Sequence, residues 1–316
     1  MALVAVESAA DQALPAIAAA VAPDETAYDL FRKLQSSHGT GLECLDTLLA
    51  GSSLGPTELV VLHGEAGSGK SALLTSLLAA YVAGEDHAAG AGFGAPAILV
   101  DADCSFDVEM LAEVLRARAA RSAGAERGVH SSVETWIGEA LSRLLVVRPR
   151  EPADLLRQLD RLRDVLAANP RVALLAVDSM SAWQSMGIAF PRSVAPFIQE
   201  AWCALARLQR EHCVALVATQ QSLPGGRSAT GFGGAPWQKL PHGASCCHLF
   251  LRRIPAGVGA AVANAAGESA GELTDRVPLP PGDFFEVCTR SLTGDADVER
   301  STFVISFAGE VVSVVS

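Results

Sequence analysis

The chain has 316 residues, of which 50% are apolar and 19% are charged, and its formal net charge is −11. This apolar content excludes an intrinsically disordered protein and is sufficient for a large buried core. The negative charge argues against a protein that coats nucleic acids by charge alone. No apolar run is long enough to cross a bilayer, so the sequence predicts no membrane partner.

The first predicted element is a short amphipathic helix around Leu30, Phe31 and Leu34, within an Ala-rich N-terminal region. We expect residues 1–37 to form an N-terminal tail with this helix, and residues 38–316 to form one core domain. The Ala-rich region lacks the basic residues of a secretory signal or a transit peptide, so we expect neither.

From residue 38 onward, apolar stretches typical of buried strands alternate with stretches of helical periodicity. The predicted strands of this part are residues 58–63, 97–100, 144–147, 172–177 and 214–218. Continuous apolar strands between helices indicate an α/β fold, in which helices cover both faces of a mainly parallel sheet.

The last third of the chain changes character, because its strand-like stretches have little helix between them. The predicted strands here are residues 246–251, 284–288, 302–307 and 310–315, which we expect to form a C-terminal antiparallel extension of the sheet. The stretches rich in Gly and Ala are predicted to be surface loops, and they cover residues 84–96, 122–132 and 256–271.

A phosphate-binding loop follows the first predicted strand. The sequence there has the pattern GxxxxGK[ST] between a strand and a helix, as phosphate binding by backbone N–H groups requires. Lys70 is expected to reach the β- and γ-phosphates of ATP, and the Ser71 hydroxyl to bind Mg²⁺. A chance Gly-rich turn is the alternative. The predicted nucleotide-binding residues are Gly64, Glu65, Ala66, Gly67, Ser68, Gly69, Lys70, Ser71 and Ala72.

Carboxylates follow two of the predicted strands. Asp178 ends the most apolar strand and is expected to act on Mg²⁺ through a water molecule. Asp101, Asp103 and Asp107 follow the strand at residues 97–100. Because the carboxyl ends of parallel strands meet at one edge, Asp103 is a candidate to orient the attacking water. Capping of the next helix is the alternative interpretation, and Asp107 fits it best.

The motifs that surround these residues resemble the RecA-type recombinase family, and within it the eukaryotic recombinase paralogs. The matching segments occur in the order His-Gly-Thr-Gly (38–41), Leu-Val-Asp-Ala-Asp (99–103), Val-Asp-Ser-Met-Ser-Ala (177–182), Ala-Thr-Gln (218–220) and Ala-Ser-Cys-Cys-His-Leu-Phe-Leu-Arg-Arg (244–253). The phosphate loop is common to many nucleotide-binding proteins, whereas the third and fifth segments are specific to this family.

The resemblance implies a RecA-like P-loop core that binds ATP and Mg²⁺, with Gln220 as a sensor of the γ-phosphate. It implies a nuclear protein of homologous-recombination repair of double-strand breaks and of replication-fork protection. The implied partners are other recombinase paralogs, paralog D foremost, and single-stranded or branched DNA, bound by this chain or only within the complex. The loop after Gln220 corresponds to a DNA-facing loop, and its candidate contacts are Arg227, Trp237 and Lys239.

The chain departs from the family pattern at two site positions. Active recombinases carry Glu where this chain has Asp103, and the shorter side chain predicts slow or absent ATP hydrolysis. The residue before Gln220 is Thr219 instead of the usual Asn. The N-terminal elements that active recombinases use to polymerise are also not recognisable, so we expect no self-assembled filament. An autonomous DNA-dependent ATPase or strand-exchange recombinase, and a scaffold with a vestigial nucleotide site, remain alternatives.

Overall fold

The computed structural model describes residues 26–28, 31, 40–49, 54–55, 58–84, 93–122, 130–183, 191–222, 245–254, 282–289, 300–306 and 311–314. The chain divides into two compact units, Met1–Ser36 and Ser37–Ser316. In the first unit, Ala27, Tyr28 and Phe31 are helical and exposed, whereas Leu30 and Leu34 lie outside the described residues. The predicted roles of these parts, an N-terminal tail (1–37) and an ATP-binding core domain (38–316), stay predictions.

The second unit alternates strands and helices, as the sequence predicted. The helices within its described residues are α1 (Glu43–Leu48), α2 (Lys70–Val82), α3 (Val108–Ser122), α4 (His130–Ser142), α5 (Pro152–Ala168) and α6 (Pro191–His212). The strands there are β1 (Glu58–Gly64), β2 (Ala97–Asp101), β3 (Leu144–Val147), β4 (Leu174–Asp178), β5 (Ala215–Gln221), β6 (Ser245–Arg253), β7 (Gly282–Thr289), β8 (Arg300–Ser306) and β9 (Val311–Val314).

The described strands form one mixed sheet in the order β3-β2-β4-β5-β1-β6-β7-β8-β9. In this order, each neighbouring pair of strands from β3 at the edge as far as β6 is parallel. Strand β1 lies between β5 and β6. The last strands, β7 to β9, pair antiparallel. This topology confirms the predicted fold class: a mainly parallel α/β sheet of the P-loop NTPase type with a C-terminal antiparallel extension.

Two hydrophobic cores, one on each face of the sheet, explain why the strands are apolar throughout. Val60 and Leu62 of β1 point into the core that α2, α3 and α4 cover. Leu59 and Val61 point into the opposite core, which α5 and α6 cover. Helix α5 contributes a stripe of leucines with helical spacing to this second core: Leu155, Leu159, Leu162 and Leu166. None of the described helices has the length and apolar character needed to cross a membrane.

The prediction of a surface loop at residues 122–132 was wrong at both ends. Helix α3 continues to Ser122, and α4, which the sequence analysis did not predict, begins at His130. The buried side chains of Trp136, Ile137 and Ala140 hold α4 against the core. Their helical spacing was present in the sequence but followed directly on a Gly- and Ala-rich stretch that favoured a loop. Residues 85–92 and 256–271 of the other predicted loops lie outside the described residues.

Candidate nucleotide-binding site

The predicted phosphate loop connects the end of β1 to the start of α2. Gly69 has φ of 88°, a left-handed conformation that glycine adopts without strain. A Cβ atom at Gly64 would lie 2.2 Å from Ser68 Oγ, so the loop closes only because this position lacks a side chain. The Ser68 N–H donates to the Glu65 carbonyl oxygen at 3.2 Å and closes the turn. The glycine pattern therefore produces the strand, loop and helix arrangement that phosphate binding requires.

Lys70 is held against the loop that precedes it. Its Nζ atom donates to the carbonyl oxygens of Gly64 at 2.9 Å and Glu65 at 2.7 Å, and to Ser68 Oγ at 3.3 Å. Burial lowers the pKa of Lys70, whereas the charges of Asp178, Asp103 and Glu65 oppose this shift. The amine thus lies where phosphates would meet the loop, with carboxylates near enough to favour its charged form.

The structure brings together the two residues predicted to bind Mg²⁺. Asp178, 5% exposed at the end of β4, accepts hydrogen bonds from the side chains of Ser71 and Thr219. Burial raises the pKa of Asp178, and these two hydrogen bonds oppose the shift. A hydroxyl beside a carboxylate is a donor set that suits Mg²⁺, which takes its other ligands from water and phosphates. The residues present therefore fit a magnesium–nucleotide complex.

Thr219 is a site residue that the sequence analysis treated only as a departure from a family pattern. It is completely buried in β5 and donates from its hydroxyl to Asp178, so it fixes the orientation of that carboxylate. Its position directly after a predicted apolar strand and one residue before the predicted sensor Gln220 was the signal available in the sequence.

The three carboxylates at and after the end of β2 have separate roles. Asp101 is completely buried and accepts from Arg148 Nε at 2.8 Å and from the N–H groups of Ser105 and Phe106, so its role is structural. Asp107 accepts the Glu109 N–H at 2.8 Å and caps α3, as predicted. Asp103 is exposed, and its charge acts on both Lys70 and Asp178. Of the three, Asp103 is the one whose charge acts on Lys70.

Hydrogen bonds connect the end of β5 to the phosphate loop and to the segment that follows Asp178. The Ser222 N–H donates to the Gly64 carbonyl oxygen at 2.9 Å, and the Gln221 N–H donates to Ser181 Oγ at 2.8 Å. Gln220, the predicted sensor, is 6% exposed and pairs in register with the residue before the loop. A movement of the phosphate loop can therefore displace the segment that follows β5. The predicted DNA contacts Arg227, Trp237 and Lys239 follow it and lie outside the described residues.

A buried pair of histidines lies below the loop, between β1 and β6. His63 Nε2 lies 2.8 Å from His248 Nδ1, and one of these atoms donates to the other. The His63 ring also stacks on Phe250. Burial, His248 and Lys70 lower the pKa of His63 from 6.5 to about 3. His63 is thus a neutral packing residue near pH 7, in line with its position in a buried strand.

We expect this histidine to make stability depend on pH. The unfolded chain binds a proton at His63 near pH 6.5, but the folded chain does so only near pH 3. Its contribution to stability is therefore complete above about pH 6.5 and decreases as the pH falls toward 3. His63→Phe, which keeps an aromatic ring beside Phe250, should lose less urea resistance than the wild type between about pH 7.5 and about pH 5. Equal losses in both proteins would contradict this assignment.

A cavity of about 270 Å³ lies between the phosphate loop and the end of β6. Its walls are Gly64, Glu65, Ala66, Gly67, Ser68, Ser222, Phe250, Leu251, Arg252 and Arg253. The Arg252 side chain donates to Glu286 on β7. The first five predicted nucleotide-binding residues thus line this cavity, whereas Gly69 to Ala72 lead into α2 and toward Asp178.

Residues 39–193 match the family model of the AAA ATPase domain. The matched segment contains the phosphate loop, Asp103 and Asp178, and it ends before β5. A comparison with curated proteins finds no match. This part of the chain is thus similar to the AAA ATPase domain, which suggests nucleotide binding, with the Mg²⁺ that usually accompanies it. In the described part of the chain, no three His, Cys, Asp or Glu side chains are grouped to hold a metal ion, and a magnesium ion shared with phosphates requires no such group.

Proposed function

We propose that this chain is an ATP- and DNA-binding accessory subunit of a nuclear complex of recombinase paralogs. It would act in homologous-recombination repair of double-strand breaks and in the protection of replication forks. Its motifs resemble those of X-ray repair cross-complementing protein 2, a RecA-type recombinase paralog, which makes paralog D the first partner to test.

The observation that carries this proposal is the set of hydrogen bonds between the nucleotide loop, the segment after Asp178 and the end of β5. Ser181 belongs to the Val-Asp-Ser-Met-Ser-Ala segment that resembles recombinases, and it accepts the Gln221 N–H at 2.8 Å. Gln221 in turn leads into the loop proposed to face DNA. This connection supports a protein in which bound nucleotide influences a DNA-binding loop, which a simple nucleotide store would not need.

The residues of the site have distinct proposed roles. Lys70 binds the phosphates, and Ser71 and Asp178 hold Mg²⁺, which neutralises phosphate charge when it is bound. Thr219 keeps the Asp178 carboxylate oriented. Asp103 would polarise a water molecule, but it is shorter than the Glu of active recombinases and is exposed, so we propose slow hydrolysis or none.

A second candidate is an autonomous ATPase, which the match to the AAA ATPase domain favours. The paired Ser71 and Asp178 side chains would hold Mg²⁺ in either case. The two candidate functions differ in the rate of ATP turnover and in the partner chains that bind. Both properties can be measured on the same purified chain.

The test is affinity purification of the full chain from nuclease-treated cell extract, followed by identification of bound chains and assay of the purified complex. We expect recombinase paralogs to copurify, ATP turnover to be slow, and the complex to bind single-stranded or branched DNA. Replacing Arg227 and Lys239 by alanine should weaken DNA binding and reduce its salt dependence, because cations on phosphates release counterions. Arg157→Ala, on the exposed face of α5, is the control.

Two results would contradict the proposal. A chain that purifies without recombinase paralogs and turns ATP over steadily by itself would overturn the proposal in favour of the autonomous ATPase. DNA binding that is unchanged by the paired Arg227 and Lys239 substitutions would exclude the proposed loop as the DNA contact.

A further inference from the structure

We propose that Arg148, the residue directly after β3, is a positioning residue that fixes the place of Asp103 in the nucleotide site. It acts from the edge strand of the sheet, through the turn at residues 101–106 that carries Asp103. The inference rests on the proposed binding of Mg·ATP and deepens it, because it names the residue that controls the geometry of the water-orienting carboxylate.

The turn after β2 is organised around one buried carboxylate. Asp101 is completely buried, and its Oδ1 atom accepts the N–H groups of Ser105 at 3.1 Å and of Phe106 at 3.3 Å. The Asp103 carboxylate accepts the same Ser105 N–H at 3.1 Å. The place of Asp103 in the turn therefore depends on the hydrogen bonds that Asp101 accepts.

Arg148 holds this turn from a distant part of the sequence. Its Nε atom donates to Asp101 Oδ2 at 2.8 Å, and its Nη2 atom donates to the Phe106 carbonyl oxygen at 3.4 Å. One planar guanidinium thus connects both ends of the turn, and the point charge of a lysine lacks this fork. Without Arg148, the buried Asp101 carboxylate would lose the positive charge that compensates it, so the turn would no longer be held in one conformation.

The turn is also attached to the magnesium site. The Ala102 N–H donates to the Asp178 carbonyl oxygen at 2.5 Å. Asp103 is the next residue, and its charge acts on both Lys70 and Asp178. Asp103 therefore lies between a backbone contact to Asp178 on one side and the part of the turn that Arg148 holds on the other.

The reaction that this geometry would affect is the hydrolysis of ATP. The water oxygen bonds to the γ-phosphorus while the bond from that phosphorus to the β–γ bridging oxygen breaks, which yields ADP and phosphate. One proton of the water passes to the Asp103 carboxylate and then to solvent. Misplacement of such a group by about 1 Å can cost about a hundredfold in rate. Because Lys70 binds the phosphates independently of this turn, a loss of Arg148 should lower the rate and leave the affinity for Mg·ATP unchanged.

Single-turnover hydrolysis of radiolabelled Mg·ATP, with calorimetry for affinity, tests the inference in the wild type and in Asp103→Glu. The longer glutamate should raise the rate by about tenfold or more. In this variant, the further change Arg148→Ala should lower the rate by about tenfold at unchanged affinity. Arg148→Lys keeps the charge beside Asp101 and should lower the rate by about threefold in a chain that melts like the wild type.

Arg116→Ala is the matched control, because it removes an arginine that also pairs with carboxylates but lies on the exposed face of α3. It should change neither the rate nor the affinity. Unchanged hydrolysis in Arg148→Lys and Arg148→Ala would overturn the inference. Equal losses of rate and affinity would also overturn it, because Arg148 would then serve the fold alone.

Two further outcomes separate this inference from the proposed function. A wild type and an Asp103→Glu variant that bind Mg·ATP but never hydrolyse it would overturn the positioning role and leave nucleotide binding intact. A wild type that does not bind Mg·ATP would instead contradict the proposed function itself.

Discussion

Lys70→Ala is expected to weaken the binding of Mg·ATP by about a hundredfold or more. An ammonium that donates to two phosphate groups makes charge-assisted hydrogen bonds, and alanine replaces none of them. In the folded chain the amine already lies against the loop, within 2.9 Å of the Gly64 carbonyl oxygen and within 2.7 Å of that of Glu65. The variant therefore removes a cation that is in place, and calorimetry with Mg·ATP measures the loss.

The controls for Lys70→Ala separate binding from folding and from assembly. Arg157→Ala removes an exposed cation elsewhere and should keep the wild-type affinity. A melting temperature close to that of the wild type would show that the variant is folded. Wild-type affinity in Lys70→Ala would contradict the phosphate site. If Lys70→Ala also fails to copurify with recombinase paralogs, assembly depends on nucleotide, whereas unchanged assembly would favour the scaffold alternative.

The sequence could predict the sheet and the phosphate loop because both depend on local patterns. Continuous apolar strands require a covered parallel sheet, and the spacing of Gly64, Gly69 and Lys70 requires a loop between a strand and a helix. Asp178 could be predicted as well, since it ends the most apolar strand and the carboxyl ends of parallel strands meet at one edge.

The remaining parts of the site depend on which strands become neighbours, and no local pattern encodes this. Thr219 reaches Asp178 because β5 pairs with β4, and Arg253 lines the cavity beside the loop because β6 pairs with β1. The partner of Asp101 is Arg148, which is far from it in the sequence and follows the edge strand β3. These contacts became visible only with the strand order, and they changed the interpretation of Asp101 from a candidate site residue to a structural one.

Asp178→Asn should remove most of the dependence of ATP binding on magnesium. The amide keeps the shape of the side chain and can still accept from Thr219, but it lacks the charge that holds hydrated Mg²⁺. Loss of a group that acts on a metal through its water typically costs 10- to 100-fold in affinity, so we expect Mg²⁺ to strengthen ATP binding about fiftyfold less than in the wild type. Calorimetry with and without Mg²⁺ measures this ratio.

The same substitution should leave the protein as stable as the wild type or more so. Burial raises the pKa of Asp178, which means that its ionisation near pH 7 opposes folding. The folding advantage of the protonated form is lost as the pH rises through this raised pKa, and the uncharged amide avoids that loss. Asp160→Asn, on the exposed face of α5, should change neither property. A normal magnesium effect in Asp178→Asn, or a sharply lowered melting temperature, would show that Asp178 serves the fold and not the metal. Ser71 would then lack the partner on which the magnesium site depends.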